Sequence, residues 1–237
     1  MIIRKIGGRG GAPIDPYWAS VVLYAPFQAA DGVTAMYDLT GRHVLTANGD
    51  AQIDTSQKPF GASSLLLDGD VDNVTTPDST DWNFGSGDFT VEAAIRLSAL
   101  PSSNNFVGVV NQWGTGVGQA WACSVWNDSG TYKSRLVWNV GAGLVAVDVV
   151  ITPSVDTWYY LGWARFGTSV RHSVDGVVTT TTSAISGTLQ NSTLDLEIGS
   201  VDSGSYLAGW IGYVRITKGV AREMNAIPTA LFPVVSS

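Results

Sequence analysis

Along residues 88 to 98, DFTVEAAIRLS, the apolar side chains Phe89, Val91, Ala93, Ile95 and Leu97 alternate with Thr90, Glu92, Ala94, Arg96 and Ser98. Period two over such a stretch predicts a half-buried strand, one face on a core and one toward solvent. Runs of the same kind recur as VVLYAPF at 21, FVGVVNQW at 106, QAWACSVW at 119, KSRLVWNV at 133, VAVDVVI at 145, TWYYLGWARF at 157, SVRHSVDG at 169, LDLEIG at 194 and GWIGYVRI at 209. Turn-forming pairs punctuate them, among them Asn48-Gly49, Ser129-Gly130 and Asp175-Gly176. Many short strands at this spacing predict an all-β sandwich or barrel, with brief helical pieces only near Ala221 to Met224 and around Asp81.

No internal repeat or long linker divides the chain. Residues 1–18 read as an N-terminal arm, 19–223 as one domain, and 224–237, with Pro228 and Pro233, as a C-terminal tail. At 25.0 kDa the scaling of surface with mass allows about 70% of the unfolded surface to be buried, ample for a single core.

Composition removes several function classes. The chain is 45% hydrophobic, but 27 glycines interrupt it and no apolar run nears the roughly 18 residues of a membrane helix. A soluble chain with no membrane partner is expected, and MIIRKIGGRGG at the start lacks the apolar stretch of a secretory signal. One cysteine, Cys123, excludes an intramolecular disulfide and reads as a small core residue. The net charge is -7, yet Arg4, Lys5 and Arg9 place +3 in the first eleven residues, so the remainder carries -10. A body this acidic repels phosphate backbones, which argues against nucleic acid as a partner. The basic arm reads as a solvated terminus or as a tether that docks on an acidic neighbour.

Candidate chemistry is sparse. In SLLLDGDVDN, residues 64 to 73, the alternate aspartates 68, 70 and 72 look like the start of a helix-flanked calcium loop. That loop needs Gly at its sixth position and Glu at its twelfth, where this chain has Asn73 and Ser79. Asp70 and Asp72 are left as candidates for a calcium site of another kind, and no other cofactor is implied. Asp195 and Glu197 are the sole local acid pair on a predicted strand; glycoside hydrolysis needs two carboxyls roughly 5–9.5 Å apart, and a solvated strand face explains this pair adequately. With only His43 and His172, a histidine zinc cluster or a Ser-His-Asp triad has too few parts. GTGVG at 114 to 118 lacks the Lys-Ser or Lys-Thr of a phosphate loop. The chain reads as non-enzymatic. Nine tryptophans are present, four of them, Trp113, Trp121, Trp126 and Trp138, within twenty-six residues. Those four are the candidates for binding a glycan through their flat faces; most of the nine fill a large core on this reading, with one or two exposed tryptophans serving a ligand or subunit contact.

Six segments, in order, resemble one family: LYAPFQAADGVTAMYDLTGR at 23, KPFGASSLLLDGD at 58, GSGDFTVEAAIRL at 85, TWYYLGWARFGTSVRHSVDG at 157, LDLEIGS at 194 and LAGWIGYVRITKGVARE at 207. The chain over residues 20 to 223 resembles the laminin-G-like jelly rolls of the concanavalin A-like lectin and glucanase superfamily, in the form common in bacteriophage and bacterial surface proteins. The resemblance implies a two-sheet antiparallel jelly-roll sandwich with an extended N-terminal arm, its last strand, 209–217, lying beside residues 20–27. It implies hairpin bends at Asp68-Gly69, between SLLLD and NVTT, and at Asp175-Gly176. The superfamily's glucanase signature, Glu-x-Asp-x-x-Glu, is absent. His172 stands where the family has an apolar residue and shares its strand face with Val170 and Val174, so it reads as a satisfied core or rim histidine.

The function implied is that of a non-catalytic virion protein of a bacteriophage. It would be a structural or decoration component with weak glycan adhesion, contacting other capsid or tail proteins and forming a homo-oligomer. The alternative is a carbohydrate-binding receptor module of a tail fibre or spike, with a glycoside hydrolase behind both.

Overall fold

The computed structural model describes residues 15–114, 118–185, 187–202 and 204–234. Among the described residues sixteen strands carry the fold: β1 (Val21–Ala25), β2 (Met36–Tyr37), β3 (Val44–Asn48), β4 (Gln52–Asp54), β5 (Ser64–Asp68), β6 (Asn73–Thr76), β7 (Phe89–Leu97), β8 (Asn105–Gln112), β9 (Trp121–Asp128), β10 (Thr131–Asn139), β11 (Leu144–Val150), β12 (Trp158–Phe166), β13 (Ser169–Val174), β14 (Val177–Thr181), β15 (Leu196–Ile198) and β16 (Ala208–Lys218). They form two antiparallel eight-stranded sheets. The first runs β14-β13-β12-β7-β16-β5-β4, with β1 also on β16; the second runs β11-β10-β9-β8-β15-β6-β3-β2. The expected closure is present: Val21 pairs with Thr217 and Ala25 with Val214, so β1 lies along the last strand.

The inner faces follow from alternation. Phe89, Val91, Ala93, Ile95 and Leu97 of β7 meet Trp121, Cys123 and Val125 of β9 and Leu136 and Trp138 of β10 in one core cluster. Cys123 is fully buried there, as its sequence reading required.

Turn chemistry separates hairpins from corners. Ser129 (φ 52) and Gly130 (φ 96) join β9 to β10, and Asp175 (φ 50) and Gly176 (φ 76) join β13 to β14. Both are two-residue turns with left-handed backbone at each central position, the conformation that matches strand twist. Asp68-Gly69 is a bend but not the expected hairpin. It leads from β5 in the first sheet to β6 in the second, and Asn48-Gly49 likewise leads from β3 to β4 in the opposite sheet. These two corners lie side by side because one carboxylate holds both: Asp72 accepts the Asp50 N–H at 2.5 Å and the Asp68 N–H at 3.0 Å.

Short 3-10 turns occupy Thr80–Trp82, as expected around Asp81, and Trp18–Ser20. Residues 221–224 form neither helix nor strand, and Met224 has a left-handed backbone (φ 50). The Arg222 N–H donates to Thr90 Oγ1 at 2.8 Å, which fastens that stretch across the sheet.

β7 departs from expectation in one respect: it is buried on both faces. Ala94 joins Val21, Tyr24 and Tyr213 in a second apolar cluster on the outer face of the first sheet, closed by Trp18, Phe60 and Phe232. Beside it, Asp15 accepts from Arg222 at 3.0 and 2.8 Å and from Arg215 at 3.2 Å, while Arg215 reaches Glu92 at 2.7 Å. Residues 15–18, expected in the arm, and residues 224–232, expected as a tail, are therefore parts of the packed structure.

Candidate functional site

The outer face of the second sheet carries a groove across β8–β11, floored by the buried side chains of Ala122 and Ser124. Alternation places Ala122, Ser124 and Trp126 of β9 on that face, beside Val137, Arg135 and Lys133 of β10 respectively. The next strand adds Ala146 beside Val137 and Asp148 beside Arg135. On the other flank Phe106 of β8 pairs with Trp126 and Gly108 with Ser124.

A groove of about 200 Å³ runs over this surface, lined by Phe106, Trp113, Ala122, Ser124, Arg135, Val137, Leu144 and Val201. Small side chains make its floor and larger ones its walls. Phe106 is 36% and Leu144 53% exposed, so two walls are apolar surfaces left in water. The remaining wall depends on β8. A bulge between Gly108 and Val110 bends that strand, and the segment from 199 to 207 lies against it. Gly199 N–H donates to Val109 O at 3.0 Å and Gly108 N–H to Ser205 O at 3.1 Å. A β-carbon at Gly108 would collide with the Ser200 carbonyl; the missing side chain is what lets Val201 reach the groove rim.

The charges next to the groove cancel. Arg135 gives Nε and Nη2 to the two Asp148 oxygens at 2.8 and 2.9 Å, and its guanidinium carbon lies 3.5 Å from the Trp126 ring centre. Lys133 pairs with Asp128 at 2.7 Å. Fixed by an ion pair at its edge and an aromatic ring at its face, Arg135 presents ordered N–H groups without net charge. The groove thus combines flat apolar walls with a few oriented polar groups, the general chemistry of a small-ligand site. Its volume lies below the roughly 300–1,000 Å³ of drug-sized pockets and suits a single ring.

No family model and no curated protein matches the sequence. Solved structures match the fold. The binding domain of Paraclostridial Mosquitocidal Protein 1 is similar at 14% identity with a TM-score of 0.64, over 88% of this chain and 52% of that one. The botulinum neurotoxin serotype G binding domain is similar at 12% identity and a TM-score of 0.65, over 86% of this chain and 50% of that one. The serotype D ligand binding domain, solved in complex with N-acetylneuraminic acid, is similar at 13% identity and a TM-score of 0.64, over 88% and 50%. This chain spans about half the length of those domains, and at such identities the likeness is one of jelly-roll-like fold.

The structure separates the four tryptophans. Trp113, half-buried, lines the groove, and Trp126, also half-buried, supports Arg135. Trp121 and Trp138 are withdrawn into the core at 1% and 0% exposure, so neither can meet a sugar; the Trp121 indole N–H donates to Trp82 O at 3.2 Å. Strand parity carried that signal: in WACSVW, Trp121 and Trp126 are an odd number of residues apart and must face opposite ways.

The remaining candidates do not converge. Asp70 is exposed, while Asp72 is buried with its oxygens taken by two backbone N–H groups, and burial raises the Asp72 pKa above the ordinary value. Among the described residues no three His, Cys, Asp or Glu side chains cluster to hold a metal ion. Asp195 lies outside β15, and Glu197 accepts from the Ser200 hydroxyl at 2.6 Å. His172 is buried as expected but not satisfied, since among the described residues neither ring nitrogen has a hydrogen-bond partner. Arg4, Lys5 and Arg9, and residues 115–117 of the GTGVG stretch, lie outside the described residues.

Proposed function

We propose that the chain is a non-catalytic carbohydrate-binding sandwich of a bacteriophage virion, of the laminin-G-like type, which holds one sugar ring in the groove between Trp113, Phe106 and Leu144. The groove carries this reading: apolar walls stack on the faces of a pyranose, and the ordered Arg135 N–H groups meet its hydroxyls. Two similar folds support it by what is said of them, since entry of botulinum neurotoxin type C depends on interaction with two ganglioside molecules and the serotype D domain binds N-acetylneuraminic acid. No cofactor enters this reading. Glycan-array screening followed by calorimetry on the best ligand tests it. Trp113→Ala should weaken binding about tenfold, about 1.4 kcal/mol, with the melting temperature unchanged. An empty array, or affinity indifferent to both Trp113→Ala and Phe106→Ala, removes the groove as the site.

Display on a particle, as a decoration or tail component, is the second part of the proposal. Asp15 is fastened on the outer face of the first sheet and the groove lies on the outer face of the second, so a chain tethered through residues 1–14 presents the groove outward. Removing residues 1–14, which keeps Asp15, should release the protein from purified particles; full retention would sink the anchoring role. Copy number on the particle separates a shell component, abundant, from a tail adhesin, scarce.

A further inference from the structure

The two sides of the sandwich end differently. On one side the outermost strands are β2, with two residues, and β4, with three, both too short to template a partner, and β1, with five, whose Tyr24 is already engaged there: its N–H donates to Asp38 Oδ1 at 3.0 Å and its carbonyl accepts from Leu39 N–H at 2.8 Å. On the other side they are β11, with seven residues, and β14, with five, and among the described residues neither pairs along its free edge. Proteins commonly shield such an edge with lysine, proline or a bulge. β11 reads LVAVDVV and has none of these; its register with β10 is unbroken from Leu144 to Val150. Its one charge, Asp148, is engaged by Arg135. Leu144 is 53%, Val150 64% and Val177 of β14 71% exposed. Between the two edges lies an open cleft of about 430 Å³ whose walls include Val149, Val150, Ile151, Tyr159, Val174 and Val177.

We propose that a second copy of the chain docks on this side, its β11 pairing antiparallel with this β11 about a twofold axis at Val147. The strand is self-complementary in that register. Leu144 meets the copy's Val150, Val145 meets Val149, and Ala146 meets Asp148, so apolar faces apolar at both ends and the two Asp148 side chains are kept apart, each on its own Arg135. Seven residues at about 3.4 Å give a seam of about 24 Å. With two sheets about 10 Å apart and the side chains outside them, the wall is roughly 20 Å deep, or roughly 500 Å² per copy. The total, about 1,000 Å², sits at the lower bound of specific interfaces, so the dimer is weak and concentration-dependent. Leu144 belongs to both the edge and the groove wall, and pairing would set the copy's Val150 beside it, placing two grooves on one continuous surface. That last consequence rests on the groove reading; the dimer does not.

Sedimentation of the full chain, without glycan, across the micromolar to millimolar range tests the interface. The mass should rise from monomer to dimer, and Val150→Lys with Val177→Lys should hold it at monomer while leaving the thermal melt unchanged. The register is tested by the double variant Leu144→Cys, Val150→Cys. The two positions lie at opposite ends of one strand and cannot bridge within a chain, and Cys123 is buried and does not compete. Oxidation should give a disulfide-linked dimer. A wild-type chain that stays monomeric, a dimer indifferent to the two lysines, a dimer lost on removing residues 1–14 instead, or dimerisation without the cross-link each overturns the twofold β11 pairing.

Discussion

Asp15→Ala removes one carboxylate from a buried set of four charges. Arg215 and Arg222 balance Asp15 and Glu92 on the outer face of the first sheet, and all four are at most 9% exposed. Without Asp15, Arg222 loses both of its carboxylate bonds and keeps Thr217 Oγ1 at 2.8 Å, with Glu92 no nearer than 3.8 Å. One positive charge is then buried in excess. Breaking a buried pair from one side costs about 3–5 kcal/mol. In a domain of this size each kcal/mol moves the melting temperature by about 2–4 °C, so a fall of roughly 10 °C is expected by circular dichroism. Asp15→Asn keeps an acceptor and loses only the charge, and should fall between. Burial pushes the Asp15 carboxyl up, but the Arg222 hydrogen bond, the Tyr17 N–H and the two guanidinium charges outweigh it and hold the pKa below its ordinary 3.8. The folded value lies under the unfolded one, so this contribution is complete above about pH 4 and fades as pH falls through the folded pKa. The variant should therefore have a flatter acid limb. A loss under about 0.5 kcal/mol, or an equal loss on removing residues 1–14 with Asp15 kept, would refute the clasp.

His172 titrates in a separate window. Burial lowers its pKa from 6.5 to about 4, against a smaller opposite pull from Asp148, so the unfolded chain takes the proton first. Stability should be full above pH 6.5 and decline toward pH 4 by at most about 3 kcal/mol; His172→Leu should abolish that decline in urea titrations, and an unchanged pH profile would count against it. Asp72→Ala should lower stability by about 1–3 kcal/mol by stranding the Asp50 and Asp68 N–H groups, equally with and without added calcium. A calcium-dependent rise in melting temperature that Asp70→Asn removes would instead restore those two aspartates as ligands.

The strands were legible because period two is a local signal, and the closing strand was placed beside the first only by the family resemblance that the ending GWIGYVRITKG helps to carry. What covers a strand is not local. Thr90, Glu92 and Ala94 read as a solvent face, yet residues more than a hundred positions away lie on them, with Arg222 bonding Thr90 and Arg215 bonding Glu92. The Asp-Gly pairs showed the same boundary: a left-handed turn residue announces a reversal or a bend, and whether the next strand rejoins the same sheet depends on the partners it finds. In the groove, Trp113 was found by its residue type. Arg135 was not, because its place depends on Asp148 and Trp126 across two strand pairings, and Val201 was not, because it reaches the rim only where Gly108 leaves room for the Ser200 carbonyl.

The ion pair between Asp15 and Arg222 joins positions 207 residues apart. A pull applied through the segment before Asp15 meets that contact before it reaches any strand pairing. Arg222 passes the load to Thr217 and Arg215 passes it to Glu92, which spreads it over β16 and β7 at the centre of the first sheet instead of peeling β1 from one end. A domain tethered by its basic arm would resist drag as a buckle does, failing at one charged contact only after the sheet behind it has shared the strain.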